Sequence, residues 1–318
     1  MRYPILIPVL FVFLWACKDT QLPSPKETEF DPGPIQIFAQ SRPGGPVFDY
    51  AMPVDRGLED LNLTEVEKSD LDDSELVLGL LQNSEPVAIP INMLTGFEIA
   101  NLQLDRQPVV ITWCPLAGSA RAFSAEIDGE TTLFDFGRGL IYNNLLFVDR
   151  NSGSVWNQLS CKAVKGEKTG TSLQPLPGIQ ATWKFWRSKY PGTKVLTNLN
   201  RSQISGQKTR NQKQFYTTWI PGKTIPTRTT SHEADHLGLG INLNEKAIFF
   251  PLDSLFEHTT PVEIRIDTTL IRIFSDKEGI TAWAEDKNGN LLPATLAYNW
   301  AWDNFYPDTA VYKGELED

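Results

Sequence analysis

The sequence is poor in the residues on which metal and nucleophilic sites are usually built. Its 318 residues include only three histidines and three cysteines. His232, His236 and His258 all fall in one stretch, so no Ser-His-Asp arrangement can be defended elsewhere in the chain. Positive charge is also short: Lys plus Arg number 29 against 39 Asp plus Glu, a net charge of −10. Proteins that bind nucleic acid by releasing counterions need the reverse balance, so nucleic acid is not expected as a partner. Beyond the N-terminus no apolar run approaches the roughly 20 residues that a helix needs to cross hydrocarbon. What remains is ordinary globular material, 41% hydrophobic and 21% charged. That is enough for one large or two ordinary domains.

The N-terminus carries its own signal. Arg2 precedes an apolar run from Ile5 to Ala16 that holds Pro8 and is too short for a stable spanning helix. This order describes a secretory signal. The run ends Leu14-Trp15-Ala16-Cys17, which resembles the lipobox of bacterial lipoprotein signals. The resemblance implies cleavage before Cys17 and lipid on that cysteine. Residues 1–16 then read as signal peptide and 17–34 as a tether, since Lys18 to Pro34 has too few apolar residues to fold. The expected location is the bacterial cell envelope, lipid-anchored, with the outer membrane favoured. The expected partners are the membrane through that lipid, and an envelope protein or a small-molecule ligand.

Removing Cys17 leaves Cys114 and Cys161. Export favours pairing of the two thiols. A bridge would close a loop of roughly 48 residues, worth about 4 kcal/mol in the chain-entropy model. Two unpaired buried cysteines are the alternative, and composition leaves both open.

The strongest internal pattern is a repeat. Val77 to Leu94 aligns without gaps on Gly238 to Leu255, so that Gly79 meets Gly240, Pro90 meets Pro251 and Leu94 meets Leu255. Trp186 to Val195 aligns on Trp302 to Val311 in the same order. Two anchors in one order indicate a duplicated unit whose second copy is shorter. Each copy opens as a hairpin around a polar turn, Gln82 to Glu85 or Asn242 to Glu245, and closes as a short aromatic helix stopped by Pro191 or Pro307. Strands are expected over 108–113, 120–127, 131–136, 140–149 and 154–158, then over 262–266, 270–275 and 279–285. Turns fall at Asp128-Gly129 and Asn288-Gly289, and a small helix is expected near 93–99. The fold class is β-rich α+β: two tandem related subdomains of antiparallel strands, each closed by a short aromatic helix. The expected division is 35–198 for the first repeat, 199–230 for a linker and 231–318 for the second, shortened repeat.

Several motifs together resemble a widespread bacterial family catalogued as domain of unknown function 3179. They are Leu71 to Gly79, Pro90, the run Pro108-Val-Val-Ile-Thr-Trp-Cys-Pro-Leu-Ala-Gly118, Gly139 to Asn143, Asp149-Arg150, Ser154 to Gln158, Trp186 and Tyr190-Pro191. The match is close over 71–196 and looser in the second copy, and it implies no activity. Family members often carry a second cysteine where this chain has Ala117, and a histidine where it has Phe97 before Glu98. Two close thiols and an imidazole would suit a soft metal or a redox pair, and this chain lacks that set in that form.

Other motifs point to chemistry more weakly. His232-Glu233-x-x-His236 has the spacing of a zinc hydrolase, which requires both imidazoles on one helical face. β-branched residues precede it and Gly238 and Gly240 follow, so a loop leading into a strand is the better reading. Phe136 to Gly139 lacks the Lys-Ser or Lys-Thr of a phosphate loop and reads as a bend or bulge. Trp183, Phe185, Trp186, Trp300 and Trp302 recur in both copies and read as packing. The polar set Arg138, Tyr142, Asn143, Asp149, Trp156 and Gln158, with Cys114, lies in a stretch largely missing from the second copy. It is the candidate binding site. The leading expectation is a non-catalytic binding module with its site in the first repeat, no catalytic residue, no metal and no cofactor. The rival is a thiol or metal protein using Cys114 and Cys161, or a zinc hydrolase using His232 and His236.

Overall fold

A computed structural model describes residues 35–37, 56–59, 61–65, 71–82, 85–94, 97–198 and 236–317. Cys17, His232 and Glu233 lie outside the described residues. Among the described residues the first elements are β1 (Ile35–Ile37) and β2 (Leu61–Glu65). A hairpin follows, β3 (Leu76–Gln82) and β4 (Glu85–Pro90), then α1 (Ile91–Leu94) and a meander of β5 (Ile99–Leu104), β6 (Gln107–Cys114) and β7 (Ser119–Ser124). An inserted segment carries β8 (Glu126–Ile127), β9 (Glu130–Thr131), β10 (Phe134–Ile141), β11 (Asn144–Asp149), β12 (Val155–Asn157), β13 (Ala163–Lys165) and β14 (Pro175–Leu176). The first half closes with β15 (Gly178–Thr182), α2 (Trp183–Lys189) and β16 (Lys194–Asn198).

The second half repeats the order from β3 to β16 without the insertion and adds one strand at its end. It runs β17 (Leu237–Leu243), β18 (Lys246–Pro251), α3 (Leu252–Phe256), β19 (Val262–Ile266), β20 (Thr269–Asp276), β21 (Thr281–Asp286), β22 (Thr295–Tyr298), α4 (Asn299–Asp303), β23 (Ala310–Tyr312) and β24 (Leu316–Glu317). The arrangement is β-rich and repeat-like. One five-stranded sheet has the order β15-β3-β4-β16-β2 and another the order β22-β17-β18-β23-β24. Both contain one parallel pair: Val195 beside Ala88, and Val311 beside Phe249. The other pairs of these two sheets are antiparallel, as expected. The strand after each aromatic helix returns alongside the second hairpin strand in the same direction.

The apolar runs of these hairpins follow from burial on both faces. Leu78, Leu80, Val87 and Ile89 enter one core, while Val77 and Ala88 enter another with Ile179, Trp183 and Trp186. The glycines that anchor the repeat are steric. A Cβ on Gly79 would stand 2.2 Å from the Trp186 ring, and one on Gly240 would stand 2.2 Å from the Trp302 ring. Each indole lies across bare backbone, and its Nε1 donates to a threonine seven residues on: Trp186 to Thr193 at 2.9 Å and Trp302 to Thr309 at 3.0 Å. Thr182 caps α2 by accepting from the Phe185 N–H at 3.3 Å.

The halves clasp each other reciprocally. Thr182 N donates to Gly279 O in the second half, and Tyr298 N donates to Ala117 O in the first, both at 3.0 Å. Gln180 bridges Ala120 N and Gly118 O, while Thr281 donates to Gln180 O. One core mixes Cys114, Ala117, Phe123 and Trp156 with Ala297, Tyr298, Trp300 and Ala301.

Two expectations need correction. The helix expected over 93–99 is the single turn of α1, and Ile99 already opens a strand. Glu98 breaks the element with φ of 60°. The strand expected over 140–149 is split between β10 and β11, because Tyr142 and Asn143 take φ of 46° and 62° in a tight turn. Phe136 to Gly139 is a bulge, as its glycines suggested: the β10–β11 register shifts between Phe136 and Leu140.

Candidate functional site

Cys114 ends β6 and enters the turn through Pro115, Leu116 and Ala117 to Gly118, which takes φ of 65°. Its thiol is fully buried and points its hydrogen at Asn143 O, 3.6 Å away. Burial pushes the Cys114 pKa up to about 12, and the nearby Glu98 carboxylate adds to that rise. Backbone N–H groups of Ala117, Leu145 and Leu116 pull the other way and do not win. A nucleophile or soft-metal ligand must be a thiolate. At neutral pH Cys114 is a protonated, packed side chain.

Cys161 is half-buried with φ of 58°, and its Sγ lies 3.6 Å from Leu159 O and 3.9 Å from Gln158 O. Both cysteines are free thiols. The bridge left open by the cysteine count is not formed, and each sulfur is directed at a different carbonyl. Leu159 O also accepts from Arg121 Nη1 at 3.0 Å and Tyr306 Oη at 2.9 Å. The Tyr306 hydroxyl is pushed up by burial and by Cys161, against the lowering pull of Arg121.

The remaining candidates are brought together as structure. Gln158 is fully buried, and its Oε1 accepts from Ser119 Oγ at 2.7 Å and Asn144 Nδ2 at 3.0 Å. Its Nε2 donates to Thr112 Oγ1 at 3.0 Å and Ser119 O at 3.1 Å. Asp149, 1% exposed, accepts from Ser152 N, Ser152 Oγ and Trp156 Nε1 at 2.6, 2.7 and 2.9 Å. The carboxylate thereby caps its own turn and fixes the indole above it. Asn143 is buried and Tyr142 meets the Phe305 ring edge-on with centroids 6.0 Å apart. Arg138 falls in β10, but its side chain lies outside the described residues. Asp149, Trp156 and Gln158 therefore spend their polar atoms on partners inside the fold.

Sequence reasoning missed the groups that complete this network. Asn144 and Asn157 bond side chain to side chain at 3.0 Å, and Asn144 Oδ1 also receives Leu159 N at 2.9 Å. Arg150 grips Asp135 with two bonds of 2.8 and 2.7 Å and reaches Glu59 at 2.6 Å. Burial alone would raise the Asp135 pKa, but bonds from Arg150 and Gly57 N hold it below the usual carboxylate value. In the family resemblance the Asp149-Arg150 pair and the run Ser154 to Gln158, which contains Asn157, pointed here.

The histidine motif is not helical where it is described. His236 leads directly into β17, with its carbonyl accepting from Asn299 N at 2.8 Å. Its Nδ1 lies 3.4 Å from Asp253 Oδ2, while His258 Nδ1 meets Ser254 O at 2.7 Å. No three His, Cys, Asp or Glu side chains among the described residues come together as a metal set. The recurring tryptophans pack helix onto sheet, as expected, and Trp300 alone among them keeps a buried Nε1 without a partner.

One open feature remains at the other end of β6. A crevice of about 480 Å³ lies where the β5–β6 turn meets the inserted segment, lined by Asp105, Arg106, Gln107, Ser124, Glu126 and Gln174. Its walls are pinned by Ser124 N to Gln174 O at 3.0 Å and Ala125 N to Pro108 O at 2.9 Å.

The model of a family described as "Protein of unknown function (DUF3179)" matches residues 60–292. The chain belongs to this family. The match begins at the start of β2 and runs through β21, so it takes in the scaffold of the first half, the insertion, and most of the second half. α4 with Trp300 and Trp302 lies beyond it. No curated protein and no solved structure matches the chain.

Proposed function

We propose that this family member is a lipid-anchored, non-catalytic binding module of the bacterial cell envelope. In this reading it is built from two tandem related subdomains and carries its ligand site in the first. The tandem reading is supported by the shared strand order of the two five-stranded sheets. Corresponding contacts on either side of the aromatic helices add to it: Trp183 N to Glu75 O in the first half matches Asn299 N to His236 O in the second. Anchoring is supported by Arg2, the short apolar run and Leu14-Trp15-Ala16-Cys17.

The observation that carries the binding reading is the insertion β8 to β14, which only the first half possesses. Its buried Asp149, Trp156 and Gln158 spend their polar atoms on internal bonds, and its junction with the scaffold forms an open polar crevice. A thiol or metal mechanism through Cys114 would need a group that burial keeps protonated.

Two measurements test this reading. Cells fed a clickable fatty acid should label the wild-type protein and not Cys17→Ser; equal labelling would remove the anchor. Protein extracted in detergent should carry a non-covalent partner by native mass spectrometry, without a transition metal. One equivalent of zinc, copper or iron per chain would replace the binding module with the metal-protein reading.

A further inference from the structure

We propose that the crevice at the β5–β6 turn binds a small zwitterion carrying a free carboxylate and a free ammonium group, such as a short peptide. The proposal rests on the binding-module reading and names a ligand class for it.

The argument starts from the corresponding turns of the two halves. Asp105 and Asp267 hold the same place between the first two strands of each meander, and both take φ of 53°. In the second half that turn is tied to the neighbouring β17–β18 hairpin. Asp267 accepts from Lys246 Nζ at 2.5 Å and Asn244 Nδ2 at 3.3 Å. In the first half the turn instead presents Arg106, whose guanidinium makes no hydrogen bond or ion pair among the described residues.

The insertion then brings Glu126 to the same crevice, and its carboxylate pairs with neither Arg106 nor any other described cation. An unpaired cation and an unpaired anion lining one space complement a ligand that bears both charges. Arg106 suits a carboxylate, which its planar fork binds through two parallel bonds. Glu126 suits an ammonium group. Ser124 and Gln174 add hydroxyl and amide groups to the lining. The crevice volume of about 480 Å³ is within the range of small-molecule sites. Main-chain bonds from Ser124 N to Gln174 O and from Ala125 N to Pro108 O hold the strands that flank the space.

Titration calorimetry of the purified full-length protein in detergent tests this with trialanine, its N-acetyl amide, and maltose. Trialanine should bind saturably, and the blocked peptide and the sugar should not. Arg106→Ala and Glu126→Gln should each weaken trialanine by about ten-fold. Both residues are exposed, and unchanged melting curves would show that the variants fold. Absence of saturable trialanine binding would overturn the proposal. So would binding that both variants retain, equal binding of the blocked peptide, or binding of maltose alone. A partner still seen by native mass spectrometry in that event would leave the binding-module reading standing and remove only this site.

Discussion

In the first half Trp186 lies across Gly79, bonds Thr193 and stacks near Tyr190 at 4.3 Å; in the second, Trp302 lies across Gly240, bonds Thr309 and stacks near Tyr306 at 4.2 Å. The frames agree to that level of detail, while their contents differ. Between β7 and β15 the first half inserts a sheet of the order β1-β10-β11-β12-β13, whose outer strand comes from residues 35–37. Between β21 and β22 the second half has only a turn in which Asp286 accepts from Asn288 N and Asn290 N at 2.8 and 2.9 Å. The frame therefore needs a hairpin, an aromatic helix and the clasp with its partner half. The buried polar network belongs to the insertion, and it serves to seat that insertion on β6 and β7.

The largest expected effect would test whether the frames are equal. Trp186→Ala and Trp302→Ala should each destabilise the protein by about 3–5 kcal/mol in denaturant unfolding. A second-half variant that cost much less would break the correspondence between them.

A smaller effect would sharpen the contrast. Arg187 on α2 pairs with Asp73, but its counterpart on α4 is Asp303, a mostly buried carboxylate whose pKa burial raises to about 6. The folded state then holds this proton more tightly than the unfolded chain. Stability from this group is full below about pH 4 and declines as pH rises through about 6. Asp303→Asn should gain about 1 kcal/mol at pH 7.5, after allowance for solvent screening, and nothing at pH 4. A variant equally stabilised at both pH values would remove Asp303 as the source.

The repeat was legible because its marks are steric and sparse. Glycine under an indole and proline after a short helix leave spacings that can be aligned by eye. The strands expected over 262–266, 270–275 and 279–285 were readable to within two residues for the same reason, with polar turns between apolar runs, whereas β22, β23 and β24 were not expected. β5 was not legible: Ile99 to Leu104 is short, nearly all buried, and follows a hinge that depends on Glu98 adopting positive φ. The polar set Arg138, Tyr142, Asn143, Asp149, Trp156 and Gln158, with Cys114, was picked out by residue type, which does not report that Asp149, Trp156 and Gln158 are buried and bonded within the fold. The crevice had no motif at all. It joins residues 105–107 to 124, 126 and 174, which only the folded insertion brings together.

The central proposal is that Cys114 is a packed, protonated thiol held with the buried polar residues of the first half. Maleimide labelling of Cys17→Ser protein, without reductant, tests it most directly. The account predicts that Cys161 labels in the native state, that Cys114 labels only after unfolding, and that two thiols react in denaturant. Rapid native labelling of Cys114, or no reactive thiol after unfolding, would contradict it.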